Sequence, residues 1–369
     1  MKILFIGNQI PEECVIDVKA SSLAGNKFQS NFINCLRKIH DCDVLSFVAV
    51  STTKEQREKI SKFATSKNKY FYKEKNMIFS IFKYRKMLKK EIKKYDTVIA
   101  YNVAYPWLLL PQIARQQKTI LILADFSDTN SYKNPLMKLY AKICKRDIRK
   151  YDYVIGLSKN AKKLLKKQQH FIYMPGGIDL DNYQKVSMSP IKNQTVKLMY
   201  SGNLSKVTGV DLLVEAIKKI KDNKIELVIT GRGELENYIN QEADGKKIKY
   251  LGSLPYKKYL QLLNESNILI NPRNMNLPEN QNNFPSKIFE YLAIGKVVIS
   301  TKFVGYEDFK NNFHFCNSNV ESLKKKIEEI CENYEKIYQQ DFVKNTKLAK
   351  EYDWNFQIKK IISNISNEV

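Results

Sequence analysis

The feature that most constrains this chain is an alternation of short apolar strand-like runs with longer helix-like runs, carried through twice with a break between. In the first half KILFIG (2–7), DVLSFVAV (43–50), TVIAY (97–101), TILILAD (119–125) and YVIGLS (153–158) read as strands, with helices at about 25–39, 80–94, 134–150 and 159–167. PGGIDLDNYQKVSMSPIKNQ (175–194) interrupts the rhythm with Pro, Gly, Asp, Asn and Ser and reads as a linker. A second series follows. VKLMYSG (196–202), IELVITG (225–231), IKYLG (248–252), NILINPR (267–273) and KVVIST (296–301) alternate with helices, among them VDLLVEAIKKI (210–220) and ESLKKKIEEICENYEKIY (321–338). EYDWNFQIKKIISNI closes the chain as another helix. Such alternation is the mark of parallel α/β architecture. At 369 residues the chain exceeds what one core usually supports. The expected fold is therefore α/β, with two Rossmann-like parallel-sheet domains facing across a cleft. Ligands in such sheets bind beyond the carboxyl ends of the strands. The expected division is 1–185 plus 351–369 against 190–350.

Composition narrows the class. No apolar run approaches the roughly 18 residues of a membrane-spanning helix. Met1 is followed almost at once by a strand rather than a signal peptide, so the expectation is a cytoplasmic protein. Six scattered Cys without a C-x-x-C read as reduced thiols. The net charge of +24 is unevenly spread: between Lys54 and Lys94 there are fifteen Lys/Arg against four Asp/Glu, interleaved with aromatic and aliphatic residues. SIFKYRKMLKKEIKKYD reads as an amphipathic basic helix. Residues 70–95 thus suit either a solvated face or an anionic membrane surface. No nucleic-acid-binding module accompanies the charge, so nucleic acid is not an expected partner.

The stretch NFPSKIFEYLAIGKVVIST (283–301) carries the most chemistry. Pro285 is tolerated in the first turn of a helix, which leaves Ser286 and Lys287 among unpaired backbone donors suited to phosphate. Lys287 and Glu290 are three apart and Ser286 and Glu290 four apart, so the three share one face, with Ile288, Phe289, Leu292 and Ala293 on the buried side. A carboxylate one turn in from a bound diphosphate can accept two hydrogen bonds from a ribose diol; the alternative is a Glu that merely suits the first half of a helix. GRG (231–233) follows a strand but continues G-x-G-x-x-E, which departs from a dinucleotide fingerprint and fits a loop lining a nucleotide cleft. Metal readings fail: His40, His170 and His314 have no ligand spacing, and DCD (41–43) precedes a strand as turn residues do. No metal and no other cofactor is expected.

FPSKIFEYLAIGKVVIST closely resembles the nucleotide-sugar segment of GT-B-fold glycosyltransferases, especially glycosyltransferase family 4. YSGNLSKVTGVDLLVEAI (200–217), LVITGRGELENYI (227–239), IKYLGSLPYKKYLQLLNESNILINPR (248–273) and MPGGID (174–179) fall in the order of that family. The resemblance is strong over about 196–301 and architectural over 1–185. The segment around Trp354 resembles the one that crosses back to the first domain. In that family a pair of Glu separated by seven residues flanks the donor. Glu290 resembles the second; the first falls at Asn282, an amide that can bond sugar hydroxyls but cannot stabilise positive charge, with Glu279 a nearby substitute. The Arg and Lys that grip the diphosphate fall at Asn203 and Thr208, neither basic, leaving Lys206, Arg273 and Lys287 as replacements.

The resemblance thus implies donor contacts from Glu290, Lys287, Ser286, Pro285, Gly202, Asn203 and Lys206, with Gly231, Arg232, Gly233 and Leu254 lining the nucleotide cleft. It places Asn282, Arg273 and Asp125 at the reaction centre, and Asn8, Gly25, Asn26, Tyr101 and Asn102 in acceptor territory. It implies a retaining, metal-independent transfer from a nucleotide-sugar, UDP-linked in preference to GDP-linked, to a saccharide or lipid-linked saccharide. The substituted grip residues leave open a second expectation: a catalytically silent protein of the same shape that acts as an acceptor-binding or chaperone partner of a true transferase.

Overall fold

Parallel strands buried on both sides organise the chain into two sheets in the computed structural model. It describes all residues except 16, 19–22, 49–50, 74–76, 125–133, 184–194, 282–283 and 367–369. Contacts divide the chain into one unit of Met1–Gly176 with Trp354–Val369 and a second of Gly177–Asp353. Residues 177–183, expected with the first domain, belong to the second unit. There Ile178 and Tyr183 are buried, and the Ile178 N–H donates to the Tyr352 carbonyl at 2.9 Å.

The first unit holds β1 (Lys2–Gly7), β2 (Asp41–Val48), β3 (Asn68–Tyr72), β4 (Thr97–Tyr101), β5 (Lys118–Leu123), β6 (Tyr153–Gly156) and β7 (His170–Tyr173), in spatial order β3-β2-β1-β4-β5-β6-β7. Because side chains alternate across a strand, β1 feeds both layers. Ile3 and Phe5 join Phe28, Phe32 and Trp354 on one face, while Leu4 and Ile6 join Tyr84, Leu88 and Ile148 on the other. The C-terminal helix Trp354–Ser366 packs in the first layer, with Trp354 set edge-on to Phe28 at 5.0 Å between centroids. The amphipathic basic helix runs Met77–Glu91. It buries Tyr84 and Leu88 while Phe82, Lys83, Lys86, Lys89 and Lys90 stay exposed.

The second unit holds β8 (Val196–Ser201), β9 (Ile225–Thr230), β10 (Ile248–Tyr250), β11 (Ile268–Asn271), β12 (Val297–Thr301) and β13 (His314–Cys316), in order β10-β9-β8-β11-β12-β13. Every registered pair in both sheets is parallel. Both sheets therefore reverse their winding once, between β1 and β4 and between β8 and β11.

Several local expectations are corrected. Asp41, Cys42 and Asp43 lie inside β2 rather than in a turn before it. There Asp41 pairs with Lys67 at 2.6 Å, and Asp43 accepts from the Tyr95 hydroxyl at 2.6 Å. The helix expected over 321–338 breaks at Asn333 into Val320–Glu332 and Tyr334–Glu351, and 159–167 is a 3-10 segment, Lys159–Leu164. Among the described residues no helix is long and apolar enough to cross a membrane. Trp354→Ala empties a site in the layer that packs on the Ile3 and Phe5 face of the first sheet. Denaturant unfolding followed on the first unit should show a loss of about 3–5 kcal/mol.

Candidate functional site

The winding reversal between β8 and β11 leaves a crevice at the carboxyl ends of the strands, where ligands of open α/β sheets bind. Three loops meet there. The loop after β9 passes so close to the loop after β8 that a Cβ on Gly231 (φ 132°) would overlap the Gly202 carbonyl oxygen. A Cβ on Gly233 would likewise overlap the Leu204 backbone, whose N–H donates to the Arg232 carbonyl at 2.9 Å. Gly209 (φ 71°) lies against the Pro272 carbonyl of the loop after β11. Gly202, Asn203, Gly231, Arg232 and Gly233 therefore form one continuous edge, with the exposed Lys206 beside them, its N–H donating to the Glu234 carboxylate at 3.2 Å.

Thr208 occupies a position where the resemblance implies a cation, and its hydroxyl does structural work. Its oxygen lies 2.7 Å from the Asn203 carbonyl and 2.8 Å from the Ser205 carbonyl, its single proton shared between them, closing the loop after β8. The Tyr200 hydroxyl reaches the same Asn203 carbonyl at 2.6 Å. Burial pushes that phenol up to about 12, so it stays a hydrogen-bond donor. The Asn203 side chain itself is exposed.

Arg273 stands two residues past the end of β11, half-buried beside Tyr200. One terminal nitrogen, Nη1, donates to Asn280 Oδ1 at 2.7 Å, while Nε is buried without a partner. Asn280 is in turn fixed by its amide donating to the Val207 and Asn274 carbonyls, each at 2.7 Å. Burial draws the Arg273 pKa below the usual value, and the guanidinium has no carboxylate partner among the described residues. A desolvated cation without an anion is costly unless a ligand supplies one.

The helix Lys287–Ala293 presents Lys287 and Glu290 on one face, 3.7 Å apart between Nζ and Oε2. Tyr259, buried on the helix Tyr256–Glu265, joins them: its hydroxyl donates to Glu290 Oε2, and Lys287 Nζ donates to that hydroxyl at 3.0 Å from 4.3 Å above the ring. Burial and the Glu290 charge push the Tyr259 phenol well up. Nearby, the Tyr183 and Tyr256 hydroxyls lie 3.3 Å apart. Ser286 is exposed and makes no capping bond, Pro285 is buried, and the half-buried Leu254 packs with the apolar cluster around Tyr259 and Ile288. Sequence spacing gave no sign of Tyr259 or Asn280, since both meet their partners through tertiary structure.

Of the remaining positions, Asn282 and Asp125 lie outside the described residues, and Glu279 is exposed. In the first unit Asn8 and Asn102 directly follow β1 and β4, at that sheet's winding reversal. Asn8 Oδ1 accepts from Gln29 at 2.7 Å, and the Gly25 carbonyl accepts from the same amide at 3.2 Å. Asn102 (φ 55°) uses Oδ1 to accept the Ala124 N–H at 2.8 Å. Asn26 and Tyr101 are given structural work. The buried Asn26 amide clasps both backbone groups of Ile10 at 2.8 and 3.0 Å, and Tyr101 is buried against Phe28. No cluster of three His, Cys, Asp or Glu suited to a metal occurs among the described residues.

Two parallel sheets of this order define the GT-B fold of glycosyltransferases. The family model for glycosyl transferases group 1 matches residues 184–349. Similar solved structures include Anabaena Alr3699/HepE in complex with UDP, at 15% identity and TM-score 0.70 over 100% of both chains. A glycosyltransferase from Rickettsia africae ESF-5 is similar at 16% identity and TM-score 0.70, over 98% of this chain and 97% of that one. Sucrose-phosphate synthase from Thermosynechococcus elongatus is similar at 12% identity and TM-score 0.67 over 100% of both. No curated protein sequence matches the chain.

The close approach of the loops gives a direct test. Gly231→Ala should destabilise the second unit by about 1–3 kcal/mol, read by denaturant unfolding, because the backbone conformation and the Gly202 carbonyl both oppose a side chain.

Proposed function

We propose that the chain is a retaining glycosyltransferase that moves a hexose or N-acetylhexosamine from a UDP-sugar to a saccharide acceptor. The observation that carries this reading is Arg273, a half-buried guanidinium at the winding reversal with no carboxylate partner among the described residues. A diphosphate supplies the missing anion. The family match over the second unit supports the reading, as does Alr3699/HepE, which has been crystallised with UDP and with UDP-glucose.

In this reading the diphosphate lies along Gly202–Asn203 and Gly231–Gly233, with its charge met by Arg273, Lys206 and Lys287. The helix Lys287–Ala293 has only seven residues, so its dipole is a minor contributor beside those cations. Glu290 accepts the ribose hydroxyls. Its Oε2 already accepts a hydrogen bond from the Tyr259 hydroxyl, which orients the carboxylate and leaves Oε1 for the diol. The bond from the sugar's anomeric carbon to the diphosphate oxygen breaks as the acceptor oxygen attacks from the same face. The acceptor's proton passes to the departing diphosphate, so catalysis reduces to positioning and charge stabilisation. No metal is required in this scheme. The acceptor binds to the first unit, with Asn8 and Asn102 the best-placed side chains, and we take it to be lipid-linked at the cytoplasmic face of a membrane.

Asn203 and Thr208 favour a second reading, the catalytically silent partner, because neither can neutralise a leaving group. Slow hydrolysis across a panel of UDP-sugars separates the two. Turnover of one sugar supports the enzyme, whereas UDP binding without turnover of any sugar, in the presence of saccharide acceptors, supports the silent partner. Glu290→Ala should weaken UDP binding by about ten- to a hundredfold, the worth of charged hydrogen bonds to the ribose. Tyr259→Phe should weaken it less and should narrow the preference for UDP over its 2′-deoxy analogue, both read by calorimetric titration. Equal UDP affinity in Glu290→Ala and the wild type would remove the ribose assignment.

A further inference from the structure

The first sheet carries a cavity at the edge opposite its winding-reversal loops. Lys118, Tyr153 and His170 are the first residues of β5, β6 and β7, and all three line it. Parallel strands start at one edge, so this is the amino edge, whereas Asn8 and Asn102 stand at the carboxyl edge. Tyr153 pairs with Ile120 on one side and His170 on the other, and Lys118 lies two residues before Ile120. Side chains alternate along a strand, so the three share one face of the sheet. The cavity measures about 620 Å³, a size suited to a small ligand.

Its lining is cationic. Lys118 Nζ donates to the Ile365 carbonyl of the C-terminal helix at 2.7 Å and lies 5.6 Å from the centre of the Tyr153 ring. Arg149 Nε donates to the Leu164 carbonyl at 2.9 Å, which leaves its two terminal nitrogens without a hydrogen-bond partner among the described residues. Lys166, exposed, adds a third cation. None of the three has a carboxylate partner among the described residues. The one acid of the lining, Asp152, is engaged elsewhere: its Oδ2 accepts from the Thr119 N–H and hydroxyl at 2.7 and 2.8 Å. Residues 145–170 hold nine Lys/Arg against two Asp, so the surroundings reinforce the sign. An anionic group is what such a lining stabilises, and the guanidinium can meet it with two parallel hydrogen bonds.

The aromatic pair narrows the ligand further. His170 is exposed and stacks on the buried Tyr153, with ring centres 4.8 Å apart and planes at 25°. The exposed Gln168 adds an amide to the lining, while Gln169 spends its own on the Ile148 and Tyr151 carbonyls at 2.7 and 2.8 Å. A bare phosphate would leave the imidazole unused. A nucleobase is apolar on both faces and would keep one of them in water, because Tyr151 and Tyr153 are buried and His170 is the only exposed ring of the lining. A pyranose uses one face: its C–H side rests on the imidazole, its hydroxyls turn to Gln168 and water, and an acidic substituent meets Arg149 and Lys166.

We propose that this cavity is a non-catalytic binding site for an acidic sugar, a pyranose carrying a carboxylate or a phosphate. The site belongs wholly to the first unit and to its amino edge, so it stands or falls separately from the nucleotide assignment, which concerns the second unit.

Ligand-observed NMR and calorimetric titration of the full chain with glucuronic acid, glucose 6-phosphate, glucose and inorganic phosphate test it. At least one of the two acidic sugars should bind more tightly than both glucose and phosphate, and which one binds distinguishes a carboxylate site from a phosphate site. Excess UDP should leave that binding unchanged. Arg149→Gln should weaken it about ten- to a hundredfold, the worth of hydrogen bonds to a charged group. His170→Ala, at an exposed position, should weaken it about two- to tenfold and bring the acidic sugar toward the affinity of phosphate. Lys83→Gln with Lys86→Gln, a basic pair on another helix, should change nothing, and circular dichroism of every variant should match wild type. Failure of both acidic sugars to bind, glucose binding as tightly as they do, or displacement by UDP would overturn the proposal. So would equal losses in the Lys83/Lys86 and Arg149 variants, because the binding would then report only the net charge of the chain.

Discussion

Everything at the candidate site depends on how closely three backbones approach one another at the carboxyl edge of the second sheet. Gly231 lies against the Gly202 carbonyl, Gly233 against Leu204, and Gly209 against the Pro272 carbonyl, distances that only a residue without a Cβ allows. This packing brings the ends of β8, β9 and β11 into one surface and sets Arg273 where it is. The Thr208 hydroxyl, bonded to two carbonyls of its own loop, holds the first of these turns closed. The edge is therefore built by backbone geometry before any charged side chain takes part.

Charge is then distributed unusually. The position in the loop after β8 where the resemblance implies a cation holds a threonine with a structural role, and a cation without a carboxylate partner among the described residues stands instead just past the end of β11. Arg273 there is held by Asn280, whose own amide is fixed by two carbonyls at 2.7 Å. On the other side Lys287 and Tyr259 brace Glu290, giving a carboxylate with one oxygen occupied and one open among the described residues. A rigid cation and an oriented carboxylate suit a ligand with a diphosphate at one end and a diol beside it. Preorganised groups of this kind act in a desolvated site without reorganising during reaction.

Much of this was legible in the sequence. The central strands are uninterrupted apolar runs, and TVIAY and KILFIG coincide with β4 and β1 residue for residue. The strands that escaped notice, β3, β7 and β13, lie at sheet edges and are short runs, NKYFY, HFIY and HFC, each opening on a polar residue and only partly buried. Lys287 and Glu290 share a helix face as their spacing predicts, and Arg273 follows a strand end as NILINPR predicts. Tyr259 did not, because in YKKYLQLLNES it is one more apolar face residue, and its partner lies 31 positions away. Asn26, which only the resemblance places in acceptor territory, spends its amide on both backbone groups of Ile10, a bond no local pattern announces.

The central claim is that Arg273 meets a nucleoside diphosphate. Calorimetric titration of UDP and of uridine into wild type and Arg273→Gln tests it most directly. The account predicts micromolar UDP binding by wild type, far weaker uridine binding, and an Arg273→Gln variant in which UDP falls toward the level of uridine. UDP binding unchanged by the substitution, or no UDP binding at all, would contradict it.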